Sequence, residues 1–165
     1  MARCRFILSA PVAEHPAAAD PQARAPTLAD AEALAALMLD AYRGTIDDEG
    51  ETLDDARAAV RQLFDGEFGA MLWAVSEVSA RAGRLVSATL LTRWQERPFV
   101  AFMMTAPGQQ RQGLARAGLR RAINRLAAAG DTVLRLVVTQ GNTRAEALYE
   151  SLGFRPEAQP PFTTA

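Results

Sequence analysis

Leu34, Leu37, Met38, Ala41 and Tyr42 recur at intervals of three and four, the spacing of one face of an α-helix, and predict a first helix ending near Arg43. Ahead of them, Thr27-Leu28-Ala29-Asp30 resembles a capping box, with Thr27 or Asp30 able to cap, and Gly44 ends the run. A second box, Thr52-Leu53-Asp54-Asp55, opens a helix carrying Ala56, Ala59, Val60, Leu63 and Phe64 and stopped near Gly66. The period then changes. Residues 71–78, 85–94 and 99–105 are runs rich in Val, Leu, Phe, Thr and Trp, separated by Ala82-Gly83 and by Glu96-Arg97-Pro98. Connections that short predict an antiparallel meander. Helical spacing returns over 113–129, with Leu114, Leu119, Ile123 and Leu126 inward and Gly130 closing the helix. Residues 134–139 read as a buried strand and 142–152 as a short helix closed by Gly153. Near the start, residues 5–8 suit a first strand, and four prolines among alanines over 11–26 read as an irregular loop. The order predicts a mixed sheet with helices packed on it.

Composition narrows the chemistry. The chain has 165 residues, 49% hydrophobic and 22% charged, which excludes a disordered polymer. With 18 basic and 19 acidic residues there is no global field to steer nucleic acid or a membrane surface. Every basic residue is arginine, so lysine Schiff-base chemistry is absent. One cysteine (Cys4) and one histidine (His15) exclude an internal disulfide and the usual zinc sets, so no metal is expected. Arg3 and Arg5 before the apolar run 6–13 make only a caricature of a signal peptide, since the run is short and holds Ser9 and Pro11. No stretch approaches the roughly 20 apolar residues of a membrane span. The expected location is cytoplasmic.

Two segments carry candidate chemistry. At Gln110-Arg111-Gln112-Gly113-Leu114-Ala115-Arg116 a strand runs through a small-residue turn straight into a helix. The first amides of a helix lack internal acceptors and sit at the positive end of its dipole, which favours an anion. Gly113 and Ala115 are small enough for a diphosphate to reach the backbone, and Arg111 and Arg116 can add charge-assisted bonds. Neither the triphosphate loop nor the dinucleotide fingerprint fits, and an ordinary helix start is the plain alternative. The second segment runs from Asn142 to Phe154. Asn142 is a natural N-cap, and Tyr149 lies at the edge of the face formed by Ala145, Leu148 and Leu152. A phenol there can keep its ring in the core and its oxygen in a cleft; the alternative is a half-buried tyrosine bonded to backbone.

In this order and spacing the two segments resemble the GNAT superfamily of acyl-CoA-dependent N-acetyltransferases. Gln110 to Ala115 matches its Gln/Arg-x-x-Gly-x-Gly/Ala loop, preceded by Pro107, and Asn142 to Phe154 matches its Asn-x-x-Ala-x-x-x-Tyr-x-x-x-Gly-Phe segment. The resemblance covers about residues 85–154 and implies an α/β fold. Its central sheet would be mixed and mostly antiparallel, with about six strands flanked by about four helices. It implies one domain over 1–165: a strand and Pro/Ala-rich loop (1–26), an acceptor-side helix pair (27–66), and the sheet and CoA-binding core (71–154).

The resemblance also implies roles. Backbone amides of Gln110, Arg111, Gln112, Gly113, Leu114, Ala115 and Arg116 would hold the CoA pyrophosphate. The backbone of Met103, Met104 and Thr105 would bond the pantetheine, Asn142 would touch the CoA arm, and Tyr149 would protonate the departing thiolate. Acetyl-CoA would be the acyl donor and a primary amine of a small molecule or peptide the acceptor, by direct attack. A homodimer is compatible with the family.

An aliphatic amine is mostly protonated at neutral pH, so a base is needed. Many members place an acid near the strand before the loop, but residues 99–106 hold none. The candidates are Glu96 and the acidic run Asp47, Asp48, Glu49 and Glu51, with Asp48 and Glu49 favoured in that run. Residues 30–68 carry 11 acids against three arginines, a surplus that would attract a cationic amine. Arg116, Arg120, Arg121 and Arg125 fall on one face of the long helix; with few aromatics beside them a solvated face is favoured over a nucleic-acid patch. Only 11 residues follow Phe154, with Pro156, Pro160 and Pro161 among them, so the last strand is expected to be missing or irregular. That tail, and the acid-free strand, leave a rival reading: a non-catalytic CoA-binding or regulatory module.

Overall fold

Both capping boxes form. The Asp55 amide donates to Thr52 Oγ1 at 3.2 Å and the Thr52 amide to Asp55 Oδ2 at 2.8 Å, while the Thr27 amide donates to Asp30 Oδ2 at 2.7 Å. The computed structural model describes residues 3–158 and the main chain of 162–164. Along the chain come β1 (Arg3–Pro11), β2 (Ala23–Arg24), a 3₁₀ turn (Leu28–Asp30), α1 (Ala31–Tyr42), α2 (Leu53–Phe64) and β3 (Ala70–Met71). The meander follows as β4 (Glu77–Arg81), β5 (Arg84–Trp94) and β6 (Arg97–Thr105), then a 3₁₀ turn (Pro107–Gln109) and α3 (Leu114–Ala128). The chain continues as β7 (Val133–Thr139), α4 (Thr143–Ser151), β8 (Arg155–Pro156) and β9 (Phe162–Thr164).

One mixed sheet has the order β2-β4-β5-β6-β7-β1-β8, with β3 added to β5 and β9 to β1. Among the described strands only β6 and β7 pair in parallel. The mostly antiparallel α/β architecture with four helices is the expected one, and the extra strands are two- and three-residue pieces. Helices α1 and α2 pack on Val78, Ala88, Leu90 and Met104; α3 and α4 pack on Leu91, Val100, Leu134, Leu136 and Val138.

Several boundaries differ from expectation. The first meander run does not continue from Met71 to Val78. After Met71 the chain turns at Leu72, whose carbonyl takes the Val75 and Ser76 amides, and the long strand begins at Glu77. Trp73 stacks on Phe64 at 5.0 Å, a contact made only in three dimensions. The second hairpin turn is Gln95-Glu96, both at positive φ like Ala82-Gly83, so Arg97 and Pro98 belong to β6. The first strand reaches from Arg3 to Pro11 because β7 pairs along nearly all of it.

The tail is irregular rather than missing. It lies on β1 as two short pieces, Arg155-Pro156 against Leu8-Ser9 and Phe162–Thr164 against Arg3–Arg5. Arg135 on β7 anchors it, with Nε 2.7 Å from Glu157 Oε1.

The arginine face of α3 is not simply solvated. Arg121 and Arg125 reach the buried carboxylate of Glu77, and Arg121 also donates to the Ala18 carbonyl at 2.6 Å. Arg120 donates to the Pro16 carbonyl at 3.4 Å, and Asn124 exchanges two 2.8 Å bonds with the His15 main chain. This face straps the Pro/Ala segment across the helix. Gly118 permits the approach beneath it: a Cβ there would lie 3.0 Å from Thr89 Oγ1.

Candidate active site

The cleft starts from an irregularity in β6. Leu90 pairs with Phe102 but Leu91 pairs with Val100, so Ala101 is an extra residue on that strand. Parallel pairing with β7 ends at the same point, Val100 opposite Leu136. Beyond it the two strands diverge and leave a cleft of about 530 Å³. Phe102 to Thr105 line one wall, Val137 to Thr139 and α4 the other, and the loop between α1 and α2 borders it.

The register decides which main-chain groups face the gap. The Ala106 amide donates to the Val86 carbonyl at 2.8 Å, so with period two Met104 and Phe102 also turn to β5. Met103 and Thr105 turn the other way, and the Tyr42 hydroxyl donates to the Met103 carbonyl at 3.5 Å. Of the three residues expected to offer backbone to a pantetheine arm, Met103 and Thr105 can do so. Met104 cannot; it contributes a buried side chain under α1 and α2.

At the end of β6 the amides of Gln110, Arg111, Gln112, Gly113, Leu114, Ala115 and Arg116 donate to no described residue; the first amide of α3 with a partner is Ala117, to the Gly113 carbonyl. Gln110 is extended, and Arg111 (φ 65°) and Gly113 (φ 74°) both lie in the left-handed region, so the chain bends sharply twice before α3 begins. A Cβ on Gly113 would meet nothing within 4 Å, so the space above it is open. Gln110 and Ala115 line the cleft itself, Arg111, Gln112 and Gly113 form its exposed outer bend, and Arg116 makes no ion pair among the described residues. The bend thus presents a row of amides without a described acceptor beside the cleft.

Tyr149 lies in the α4 wall, 8% exposed, its ring edge-on to Phe154 at 5.8 Å. Its hydroxyl bonds to no described residue, although the side chain lines the cleft. Burial pushes the phenol well above the usual tyrosine range, and the charge of Asp47 pushes the same way. Tyr42, across the cleft on α1, is raised by burial first, then by Tyr149 and Asp47, despite its bond to Met103. Both phenols therefore stay protonated donors at neutral pH.

The expected acids separate. Glu96 is exposed in the hairpin turn at the far end of β6 and does not line the cleft; nothing brings it to the phenol. Asp48 does line it, but its carboxylate takes the Gly44 and Gly50 amides at 2.7 and 2.9 Å, which hold it below the usual carboxylate range. Glu49 is drawn to Arg5 and Arg3. Asp47 is different. Its carboxylate reaches over to the other wall, accepting from Thr139 Oγ1 at 2.6 Å and from Asn142 Nδ2 at 3.2 Å. Asn142 also caps α4, its Oδ1 accepting from the Ala145 amide, so its side chain is occupied by protein. Tyr42 and Thr139 read from sequence only as periodic core positions, and Asp47 as one acid in a run.

A mixed sheet that splays beside an amide cradle, with a buried phenol in the gap, defines a fold of the acetyltransferase class. The GNAT acetyltransferase family model matches residues 32–154, and the chain belongs to that family. Among solved structures, a GCN5-related N-acetyltransferase from Sphaerobacter thermophilus aligns over 98% of this chain and 50% of its own, at 15% identity and TM-score 0.73. A ribosomal-protein-alanine N-acetyltransferase from Brucella melitensis aligns over 81% and 83%, at 24% identity and TM-score 0.64. A GNAT-family acetyltransferase from the same organism, solved with acetyl-CoA, aligns over 87% and 94%, at 15% and 0.61. The chain thus spans half the length of the Sphaerobacter protein. No curated protein sequence matches it. Among the described residues no helix is long and apolar enough to cross a membrane, and no cluster of His, Cys, Asp and Glu could hold a metal ion.

Proposed function

We propose that the protein is an N-acetyltransferase that moves the acetyl group of acetyl-CoA to a primary amine by direct attack. The observation that carries this is the run of amides at residues 110–116 with no acceptor among the described residues, beside the cleft that holds the Tyr149 phenol, itself without a described partner. The cradle suits a diphosphate, and Met103 and Thr105 offer the amide-pairing edge that an extended pantetheine arm needs. Acetyl-CoA, when bound, supplies an activated thioester. The chain's part is to align it with the amine, which can contribute ~7–11 kcal/mol of the acceleration, and to stabilise the departing sulfur. The Tyr149 phenol suits the latter: too buried to ionise, it would remain a hydrogen-bond donor to a developing thiolate. A cytoplasmic place, where the free thiol of Cys4 would persist, goes with this reading.

The direct test pairs binding with turnover. Acetyl-CoA is expected to raise the melting temperature, and an amine panel is expected to release free thiol. A second reading, a non-catalytic acyl-CoA-binding module, draws on the absence of any acid in residues 99–106. Stabilisation by acetyl-CoA without thiol release on any amine selects that reading; no stabilisation and no release overturns both.

A further inference from the structure

We propose that Asp47 is the base of the site, its carboxylate receiving a proton from a primary ammonium carried on an apolar stem. The inference rests on the acetyltransferase reading and adds to it the missing base and a class of acceptor.

Five carboxylates line the cleft, and four have work elsewhere. Asp48 holds two turn amides, Glu49 faces two arginines, Glu51 accepts the Glu49 amide at 2.9 Å and Asp55 caps α2. Asp47 alone crosses to β7 and α4, and both of its partners are neutral, so they orient the carboxylate without cancelling its charge. A separate observation marks this point as a ligand position. Tyr149, more than nine-tenths buried, lines the same cleft and its hydroxyl bonds to no described residue. An acid and a base that line one cleft bracket the place where a reacting nitrogen and a leaving sulfur would sit. On the α1 and α2 side Met38, Leu39, Ala56 and Ala59 give the wall an apolar stretch, which Phe102 of β6 extends. A stem of that character fits it.

The protons balance. An ammonium becoming an amide loses two. One N–H proton passes to the Asp47 carboxylate, the nitrogen lone pair forms the C–N bond, and the C–S bond breaks. The sulfur takes the Tyr149 proton, and the phenol is restored from the second N–H. The Asp47 proton goes to solvent, leaving acetamide, free thiol and one proton.

The experiment compares parent and Asp47→Asn on phenethylamine, an ammonium at pH 8, and on its β,β-difluoro analogue, largely neutral there. The amide keeps the shape of the carboxylate but is no base. On phenethylamine the variant should lose ~100- to 10,000-fold in kcat/KM, the range of general-base catalysis, with little change in acetyl-CoA stabilisation. On the difluoro amine it should recover most of that loss. Thr139→Val, which removes the orienting hydroxyl and leaves the charge, should give a smaller loss. Equal loss on both amines makes Asp47 a strut for the loop and overturns the proposal, as does a loss under threefold. A parent that acetylates other amines but not phenethylamine removes the apolar-stem half. A parent stabilised by acetyl-CoA yet inactive on every amine removes the acetyltransferase reading, and this one with it.

Discussion

Arg144, in the first turn of α4, donates from Nη1 to Gln110 Oε1 at 2.9 Å. That bond joins the two segments that carry the family resemblance, 34 residues apart in sequence, across the mouth of the cleft. It steadies the first residue of the amide run and leaves a guanidinium beside the proposed diphosphate site. Both partners are near solvent, so its contribution to folding is small. Replacing Arg144 with Ala is expected to leave the unfolding free energy from urea titration within ~0.5 kcal/mol of parent but to weaken acetyl-CoA binding by roughly 1 kcal/mol, or about fivefold. Gln110→Ala should act in the same direction. The double variant should cost less than the sum, which titration calorimetry can measure.

Gly113 sits at φ 74° with open space where a Cβ would go. Gly113→Ala should therefore cost only the left-handed backbone penalty, ~1–2 kcal/mol, and retain some stabilisation by acetyl-CoA. Gly113→Glu pays a similar backbone penalty but puts a carboxylate over the cradle. It should fold, with a lowered melting temperature, and show no shift on adding acetyl-CoA. A full shift in the Glu variant would show that these amides do not hold the anion.

Tyr149→Phe keeps the ring against Phe154 and removes the proton. Turnover should fall ~100-fold or more while acetyl-CoA affinity stays within about twofold. Steady-state kinetics beside a thermal shift would separate the two, and unchanged turnover would end the acid role.

Alkaline pH should expose the buried phenols. Tyr42 and Tyr149 both have folded pKa values above their unfolded value near 10, chiefly through burial. Below that pH both states keep the protons and stability is unaffected. Above it the unfolded chain loses protons that the folded chain retains, so stability falls as pH rises. Denaturant unfolding between pH 9 and ~11 should slope downwards, and Tyr42→Phe and Tyr149→Phe should each make the slope shallower.

Glu77 carries a carboxylate 3% exposed between Arg121 and Arg125. Glu77→Leu leaves the largely buried Arg121 without its counter-charge. The expected loss is ~3–5 kcal/mol, with loosening of the Pro/Ala strap that the same arginine holds through Ala18. Hydrogen exchange at residues 12–22 would report the second effect. A loss below 1 kcal/mol would mean that Arg121 finds water instead.

The sequence by itself determined the helices, the meander and the two segments that carry the family resemblance, because these depend on local signals. Helical period, the Thr27–Asp30 and Thr52–Asp55 boxes, and the short turns around Gly83 and Glu96 act within four residues of each other. The amide cradle was equally readable, since a strand entering a helix leaves its first N–H groups unpaired whatever surrounds it. Tertiary structure decided what depends on distant neighbours. It put Glu96 at the far end of β6, spent Asp48 and Glu49 on turn amides and arginines, and brought Asp47 to Thr139 and Asn142, more than 90 residues away. It also turned the main-chain groups of Met104 towards β5 through the register of that pair and gave the α3 arginines a buried partner in Glu77. One acid in a run differs from the next only by where the chain around it is held, and that is fixed by packing rather than by composition.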